Sequence, residues 1–413
     1  NRRHILQCAE KVMGLPGGPQ DLLEIEYHGE EGTGLGPTLE FYSLLSRELS
    51  RRSLGLWRTE EAPPPPEPSS QKGAAGAAAT RPGPGAVTDA ERAWAPGGLF
   101  PEPYPPEAAT GEAGKRRAQV FRTLGFFVGR ALKDSRLLDL DLSETFWKVA
   151  LGRPVGLADL CVIDSSLGAS LAAIMESAGG DGGPGAGDAA PASLHGVEVE
   201  DLVLDFTLPG RAQYELCPDG ARRSVTGSNA REYVRRVVEA TLAEGVEPQF
   251  RAFREGVDSV FPIKRLAIFT ESEIATLVAG ERSPEPWSAS YLRDHMVLDH
   301  GYDTGSPAIG HLVRVMSGFD GKERRAFLSF ITGSPCLPYG GLAALRPNLT
   351  VVCKLPPGVA SPQKGGPQQC DEGLPSVMTC ANYLKLPPFS SEAIMREKLL
   401  YAISEGQGSF HLS

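Results

Sequence analysis

The sequence predicts an α+β fold in which helices dominate and short strands are interspersed. The chain has 413 residues and 41% hydrophobic side chains, which is enough for more than one apolar core. Apolar residues recur at helical spacing along most of it, but they alternate with their neighbours in two stretches, 202–208 and 348–355. Helical periodicity interrupted by such stretches is typical of the α+β class.

Two amphipathic helices are predicted in the first third of the chain. One spans about 38–52, with Pro37 near its first turn, and the other spans about 115–134. Each carries apolar residues on one face, which indicates a helix that faces a core. The residues of these stripes are Phe41, Leu45, Leu49, Phe121, Leu124, Val128, Ala131 and Leu132.

A strand is predicted next, at 202–208, because apolar residues alternate there and Pro209 and Gly210 follow. Helices should follow near 229–243 and through Phe250, Phe253 and Val257.

The C-terminal part changes rhythm after Gly301 and predicts a small, compact domain. Helices are expected at 307–317 and 321–332, and a strand at 348–355. A last helix should span about 390–404, because Ser390, Ser391 and Glu392 form a helix start signal there.

Three segments rich in Pro, Gly, Ala and Ser interrupt this pattern, at 61–90, 179–193 and 355–373. They have too few large apolar residues to offset the entropy of ordering, so we expect mobile loops.

Composition excludes several classes of protein. The sequence contains no run of 18 apolar residues, the length that a membrane-spanning helix needs. Residues 1–20 lack the apolar core of a secretory signal. The net charge of −10 argues against a nucleic-acid surface. The seven cysteines and seven histidines show neither a C-x-x-C pair nor a zinc spacing. We therefore expect an intracellular protein with protein partners and no metal or cofactor; a start at Asn1 rather than Met suggests a fragment.

Cys380 is the leading candidate for a reactive group. It lies in the segment LPSVMTCANYLKLPP, residues 374–388. A single cysteine in such a chain is commonly a buried structural residue, and a cysteine protease would need a histidine base beside it. The glycines at 32, 34 and 36 could suggest a phosphate loop, but no Lys-Ser or Lys-Thr pair follows them.

The segment around Cys380 strongly resembles the active-site segment of the HECT family of ubiquitin ligases. Other parts of the chain are similar to that family as well, and they lie in both the N-terminal and the C-terminal half. They are HGEEGTGLGPTLEFY at 28–42, FRTLG at 121–125, LLDL at 137–140, FLSFITG at 327–333 and GGL at 340–342. Within the family, the GTGLGP wording and the closing SFHLS look closest to the branch of the ubiquitin-fusion-degradation and thyroid-hormone-receptor-interacting ligases.

The resemblance implies a chemistry and a set of partners. Cys380 would accept ubiquitin as a thioester from a charged ubiquitin-conjugating enzyme and pass it to a lysine of a protein substrate. Thr379 and Asn382 would contact the thioester or hold the loop, and Phe410 would pack between the lobes during transfer. Many relatives have His two residues before this Cys, where the chain has Met378, so the general base for the lysine step is left open.

The resemblance also implies two lobes, 1–300 and 306–413, joined by a hinge at 301–305 that contains Gly301 and Gly305. The conjugating enzyme would dock on a subdomain at about 165–262. By position, its contacts resemble Leu171, Met175 and Phe253, although each of these residues could equally belong to a core.

Two alternatives to a ligase stay open at this stage, a catalytically silent ubiquitin-binding scaffold and a cysteine protease. The residues do not separate the nucleus from the cytoplasm, and the resemblance to the branch favours the nucleus.

Overall fold

The structure separates into two apolar cores. The computed structural model describes residues 4–15, 21–28, 35–59, 91–177, 193–194, 197–281, 287–355 and 370–405. Within these ranges, buried apolar side chains form one cluster from Ile5 to Val278 and another from Trp287 to Ile403, which we call the large lobe and the small lobe. The predicted α+β fold with two lobes is confirmed. No helix in the same ranges is long and apolar enough to cross a membrane.

The large lobe consists mainly of helices. They are α1 (Ile5–Met13), α2 (Leu35–Leu49), α3 (Glu112–Lys133), α4 (Glu144–Ala150), α5 (Leu157–Ile163), α6 (Ser165–Ser177), α7 (Ala230–Glu239), α8 (Glu247–Asp258) and α9 (Glu271–Ala279). Two short antiparallel pairs accompany them, β1 (Ser193–Leu194) with β2 (Val197–Glu198), and β3 (Thr207–Leu208) with β4 (Arg211–Glu215). A π-helical turn, Ala240–Glu244, extends α7.

Helices α3 and α8 approach each other backbone to backbone. A Cβ atom at Gly125 of α3 would collide with the carbonyl of Phe253, and one at Gly256 of α8 would collide with the carbonyl of Arg122. Glycine at both positions allows this approach, and it brings Phe253 beside Phe146 with 5.0 Å between the ring centroids. The crossing therefore forms the centre of the large core.

The small lobe is built around one four-stranded sheet. Its elements are α10 (Ala289–His295), β5 (Val297–Asp299), α11 (Pro307–Ser317), α12 (Gly321–Thr332), β6 (Thr350–Cys353), β7 (Ser376–Met378), β8 (Tyr383–Leu386) and α13 (Glu392–Glu405). The strand order is β5-β6-β8-β7, in which β5, β6 and β8 are parallel and β7 is antiparallel to β8. Helices α11 and α12 both contact α13.

Local sequence signals define helix α12. Asp320 accepts a hydrogen bond from the backbone of Glu323 at 2.8 Å, and the Glu323 side chain accepts one in return from Asp320. This capping box starts the helix, and Gly333, at φ 76°, ends it in the left-handed region. The helices predicted at 307–317 and 321–332 are confirmed in full, and those near 38–52, 115–134 and 390–404 are present with ends shifted by up to three residues. The helix predicted near 229–243 is present as Ala230–Glu239 and continues into the π-helical turn Ala240–Glu244.

The predicted strand at 202–208 is wrong over most of its length. Residues Val199–Leu202 form a 3₁₀ turn, and Val203 has a left-handed backbone with φ 51°. Only Thr207 and Leu208 belong to a strand. Apolar residues alternate here because a turn buries some of them, not because the backbone is extended.

The small core begins before the predicted lobe boundary at residue 300. Leu292 and Met296 are buried in it, as is Tyr302, whose hydroxyl donates a hydrogen bond to the Leu386 carbonyl at 2.9 Å. These contacts tie residues on both sides of position 300 to the small lobe. They disfavour a hinge at 301–305, which stays a prediction.

The segments predicted as mobile loops lie almost entirely outside the described residues. The parts that are described are Ser193, Leu355 and the residues 370–373 that lead toward β7.

We predict that Gly125→Ala destabilises the large lobe by about 1–3 kcal/mol, because the added methyl group forces α3 away from α8. The urea midpoint of tryptophan fluorescence measures this, since Trp57 and Trp147 lie in the same core. Gly111→Ala is the control, because a Cβ at Gly111 meets no atom within 4 Å. An equal midpoint for both variants would contradict the close-packing argument.

Candidate active site

Cys380 lies on the 3₁₀ turn Thr379–Ala381, which joins the antiparallel strands β7 and β8. The structure describes all seven cysteines, and they are free thiols. Two are buried, four are half-buried and Cys380 alone is exposed. The tight turn between paired strands therefore leaves this thiol accessible from solvent.

Asn382 supports the turn from below. Its backbone is left-handed at φ 54°, a conformation that asparagine tolerates better than most residues. Its side-chain amide donates a hydrogen bond to the Pro347 carbonyl at 2.6 Å. Its backbone carbonyl accepts a hydrogen bond from the backbone N–H of Thr350 at 3.0 Å. Because Asn382 is buried, this geometry favours the role of holding the loop over the role of contacting a thioester.

Thr379 is buried as well, so its side chain lies under the turn rather than beside the exposed thiol. Met378 precedes it and is 40% exposed.

Lys354 fastens the segment that enters the turn. Its ammonium group donates hydrogen bonds to the Leu374 carbonyl at 3.1 Å and to the Ser376 hydroxyl at 3.0 Å. Burial, together with the nearby positive charge of Lys385, lowers the pKa of Lys354. On the other side of the turn, Tyr302 holds β8 through the Leu386 carbonyl. The thiol is thus exposed on a turn whose entry, base and exit are anchored.

The turn that carries Cys380 contacts two helices from different lobes. One is α12 of the small lobe and the other is α2 of the large lobe. Gly333, at the end of α12, reinforces this junction, because a Cβ atom there would lie 2.9 Å from Cβ of Leu39 in α2. The turn that carries Cys380 therefore lies at the contact between the small lobe and the large lobe.

The structure separates the three predicted docking residues. Leu171 and Phe253 are buried in the large core, and Met175 packs against that core while half-buried. Of the two roles left open by the sequence, burial favours the core role for Leu171 and Phe253.

The two glycines of the predicted hinge do not join the turn that carries Cys380. Gly301 has φ 96°, in the region that favours glycine, and Gly305 donates a backbone hydrogen bond to the Asp303 carboxylate at 3.0 Å. Phe410 lies outside the described residues. Across the described ranges, no group of three His, Cys, Asp or Glu side chains could hold a metal ion.

Comparison with known proteins identifies the family. The family model of the HECT domain (ubiquitin-transferase) matches residues 43–413. The chain belongs to the HECT family. It is 43% identical to the E3 ubiquitin-protein ligase UPL3 of Arabidopsis thaliana and 41% identical to the E3 ubiquitin-protein ligase TRIP12 of Danio rerio, over its whole length in both cases.

The same relationship extends to yeast. The chain is 35% identical over its whole length to ubiquitin fusion degradation protein 4 of Saccharomyces cerevisiae. It covers 22%, 20% and 26% of the UPL3, TRIP12 and yeast proteins, respectively. The predicted family and branch are confirmed, and the chain spans about a fifth to a quarter of the length of these relatives.

We predict that Asn382→Gly slows ubiquitin transfer about fivefold, because it removes a hydrogen bond worth about 1 kcal/mol while keeping the left-handed backbone accessible. Asn382→Ala should be slower by a further factor of about five, because alanine adds a left-handed penalty of about 1–2 kcal/mol. Single-turnover kinetics with equal amounts of folded protein measure both. Wild-type rates in both variants would contradict a positioning role for Asn382.

Proposed function

We propose that this chain is a ubiquitin-protein ligase domain that carries ubiquitin as a thioester on Cys380 and transfers it to a lysine of a protein substrate. The observation that carries the proposal is the exposure of Cys380 on an anchored turn, in a chain of the HECT family. An exposed thiol suits a reaction whose donor and acceptor are both macromolecules.

The proposed reaction has two steps. In the first, the Cys380 thiolate attacks the thioester carbonyl carbon of a charged ubiquitin-conjugating enzyme. The cysteine sulfur of the conjugating enzyme then leaves as thiolate. This exchange replaces one thioester by another, so it needs little activation. In the second, a neutral substrate amine attacks the new thioester and loses a proton, the Cys380 sulfur leaves, and an isopeptide bond forms.

We infer that the conjugating enzyme docks on the region 165–262, and we propose Val203 as one of its contacts there. Val203 is 88% exposed, and its left-handed backbone is rare for a β-branched residue. The Glu200 carboxylate accepts a hydrogen bond from the backbone of Gly227 at 2.8 Å and so stabilises the turn. Strain held at an exposed apolar residue suits a contact with a partner.

Three further roles belong to the same proposal. Phe410 would pack between the lobes during transfer, on the resemblance of the tail to the family. Met175 is the half-buried candidate at the edge of the docking region, where Leu171 and Phe253 would support the surface from the core. The lobe limits and the hinge at 301–305 are retained only as predictions.

Replacing Cys380 tests the proposed intermediate. With pre-charged conjugating enzyme, we expect the wild-type chain to form a ubiquitin adduct that a thiol reductant removes, whereas Cys380→Ala forms none. A non-reducing gel measures the adduct, and Cys161→Ala, which removes a half-buried thiol elsewhere, should behave as wild type. A folded wild-type chain that forms no adduct with a broad panel of conjugating enzymes would indicate a silent scaffold instead.

Replacing Val203 tests the docking surface. Val203→Asp should raise the conjugating-enzyme concentration needed for half-maximal thioester formation by about tenfold, because it places a charge in a desolvated contact. The maximal rate should change little. Ile268→Asp is the matched control, since Ile268 is 83% exposed on the same lobe but lies outside the region 165–262. Equal effects of the two substitutions would contradict docking at Val203.

A further inference from the structure

A buried carboxylate is shared between the two lobes. Asp139 lies between α3 and α4 of the large lobe, and its side chain is only 3% exposed. One carboxylate oxygen accepts a hydrogen bond from Arg92 of the large lobe at 2.8 Å. The other accepts one from Arg325 of α12, in the small lobe, at 2.7 Å. A charge at this depth needs such partners.

The half of this cluster in the large lobe is complete by itself. Besides binding the carboxylate, Arg92 donates to the Asp139 carbonyl at 2.8 Å and to the Ser50 hydroxyl at 3.0 Å. Burial raises the pKa of Asp139, but the two guanidinium groups outweigh it and lower the pKa to about 2. Asp139 is therefore ionised at neutral pH, and it keeps Arg92 as a partner when Arg325 leaves.

The half in the small lobe can be released. The Arg325 side chain is 43% exposed, and it is steered within its own lobe by a contact of 3.7 Å to the Cys336 sulfur. A cavity of about 720 Å³ lies beside the ion pair and is lined by residues of both lobes, among them Trp94, Asp141, Trp287 and Leu337. Water in this cavity can hydrate Arg325 after separation, so breaking the pair leaves no buried unpaired charge.

The ion pair and the thiol turn belong to the same junction between the lobes. Helix α12 carries Arg325, contacts the turn Thr379–Ala381 and ends at Gly333 against Leu39 of α2. The pair therefore holds the lobe arrangement in which the thiol turn lies against α2. Helix α2 lies outside the region 165–262, on which we propose that the conjugating enzyme docks.

We propose that the Asp139–Arg325 pair is a releasable latch that favours the lysine step over the acceptance of ubiquitin. With the latch closed, the turn that carries Cys380 lies against α2, away from the region 165–262, and the thiol stays exposed to a substrate. With the latch open, the small lobe is free to carry the turn toward the docked conjugating enzyme. Arg325 is thus a positioning residue, and this inference rests on the function proposed above.

Arg325→Ala tests the latch in the full chain, with the two steps measured separately. We expect discharge of a preformed Cys380 thioester to free lysine to slow by about tenfold, the size of a typical coupling between sites. Thioester formation from pre-charged conjugating enzyme should be unchanged or faster. Arg325→Lys, which keeps the charge, should restore part of the discharge rate.

The matched control is Arg396→Ala, which removes an ion pair with Glu323 inside the small lobe and should leave both rates unchanged. Small-angle X-ray scattering should show a larger radius of gyration for Arg325→Ala than for the wild type or Arg396→Ala. Equal slowing of both steps, or an unchanged discharge rate, would overturn the latch.

A wild-type chain that forms no thioester would reject the proposed function instead. In that case the scattering measurement alone decides on the latch, because it reports the lobe arrangement without chemistry. Identical scattering of Arg325→Ala and the wild type would overturn it.

Discussion

The backbone contact between α3 and α8 is the constraint on which the large lobe depends. Two glycines, Gly125 and Gly256, allow two helices that are distant in sequence to cross without intervening side chains. The crossing places the aromatic side chains of α8 beside Phe146 of α4. The segment that follows α3 carries Asp139, which accepts a hydrogen bond from Arg325 of the small lobe.

The small lobe combines two properties, because it exposes a thiol and also keeps the backbone around that thiol in place. A thiol on a long loop would be accessible, but it would lose much entropy each time it met a partner. Here the turn is short, its flanking strands are paired, and Lys354, Asn382 and Tyr302 bind backbone around it. Cys380 is exposed, whereas its neighbours Thr379 and Asn382 are buried.

Much of this could be predicted from the sequence, because local signals determine it. The range 321–332 follows from a capping box and a terminal glycine, and the thiol was identified from the residues beside it. The alternating apolar residues at 202–208 led to a wrong strand prediction, because a turn can bury residues at the same spacing as a strand. The sequence analysis did not find the anchoring roles of Lys354 and Tyr302. Lys354 binds a carbonyl 20 positions away and Tyr302 binds one 84 positions away, and local patterns carry no signal of such contacts. For the same reason, the sequence left open whether Phe253 contacts the conjugating enzyme or belongs to the core. Phe253 is buried where its backbone lies against Gly125 of α3.

The order of the strands in the small sheet has a consequence for how the protein folds. Strand β5 pairs with β6, and β6 with β8, although the pairs are separated by about fifty and about thirty residues of intervening chain. Such non-local parallel pairings form slowly, because loop-closure entropy is lost before the strands gain their contacts. The turn that carries Cys380 joins β7 and β8, the two strands of this sheet that are closest in the chain, and β8 joins the rest of the sheet through its pairing with β6. The position of the Cys380 thiol relative to the rest of the small lobe therefore depends on a strand pairing that is non-local in the chain.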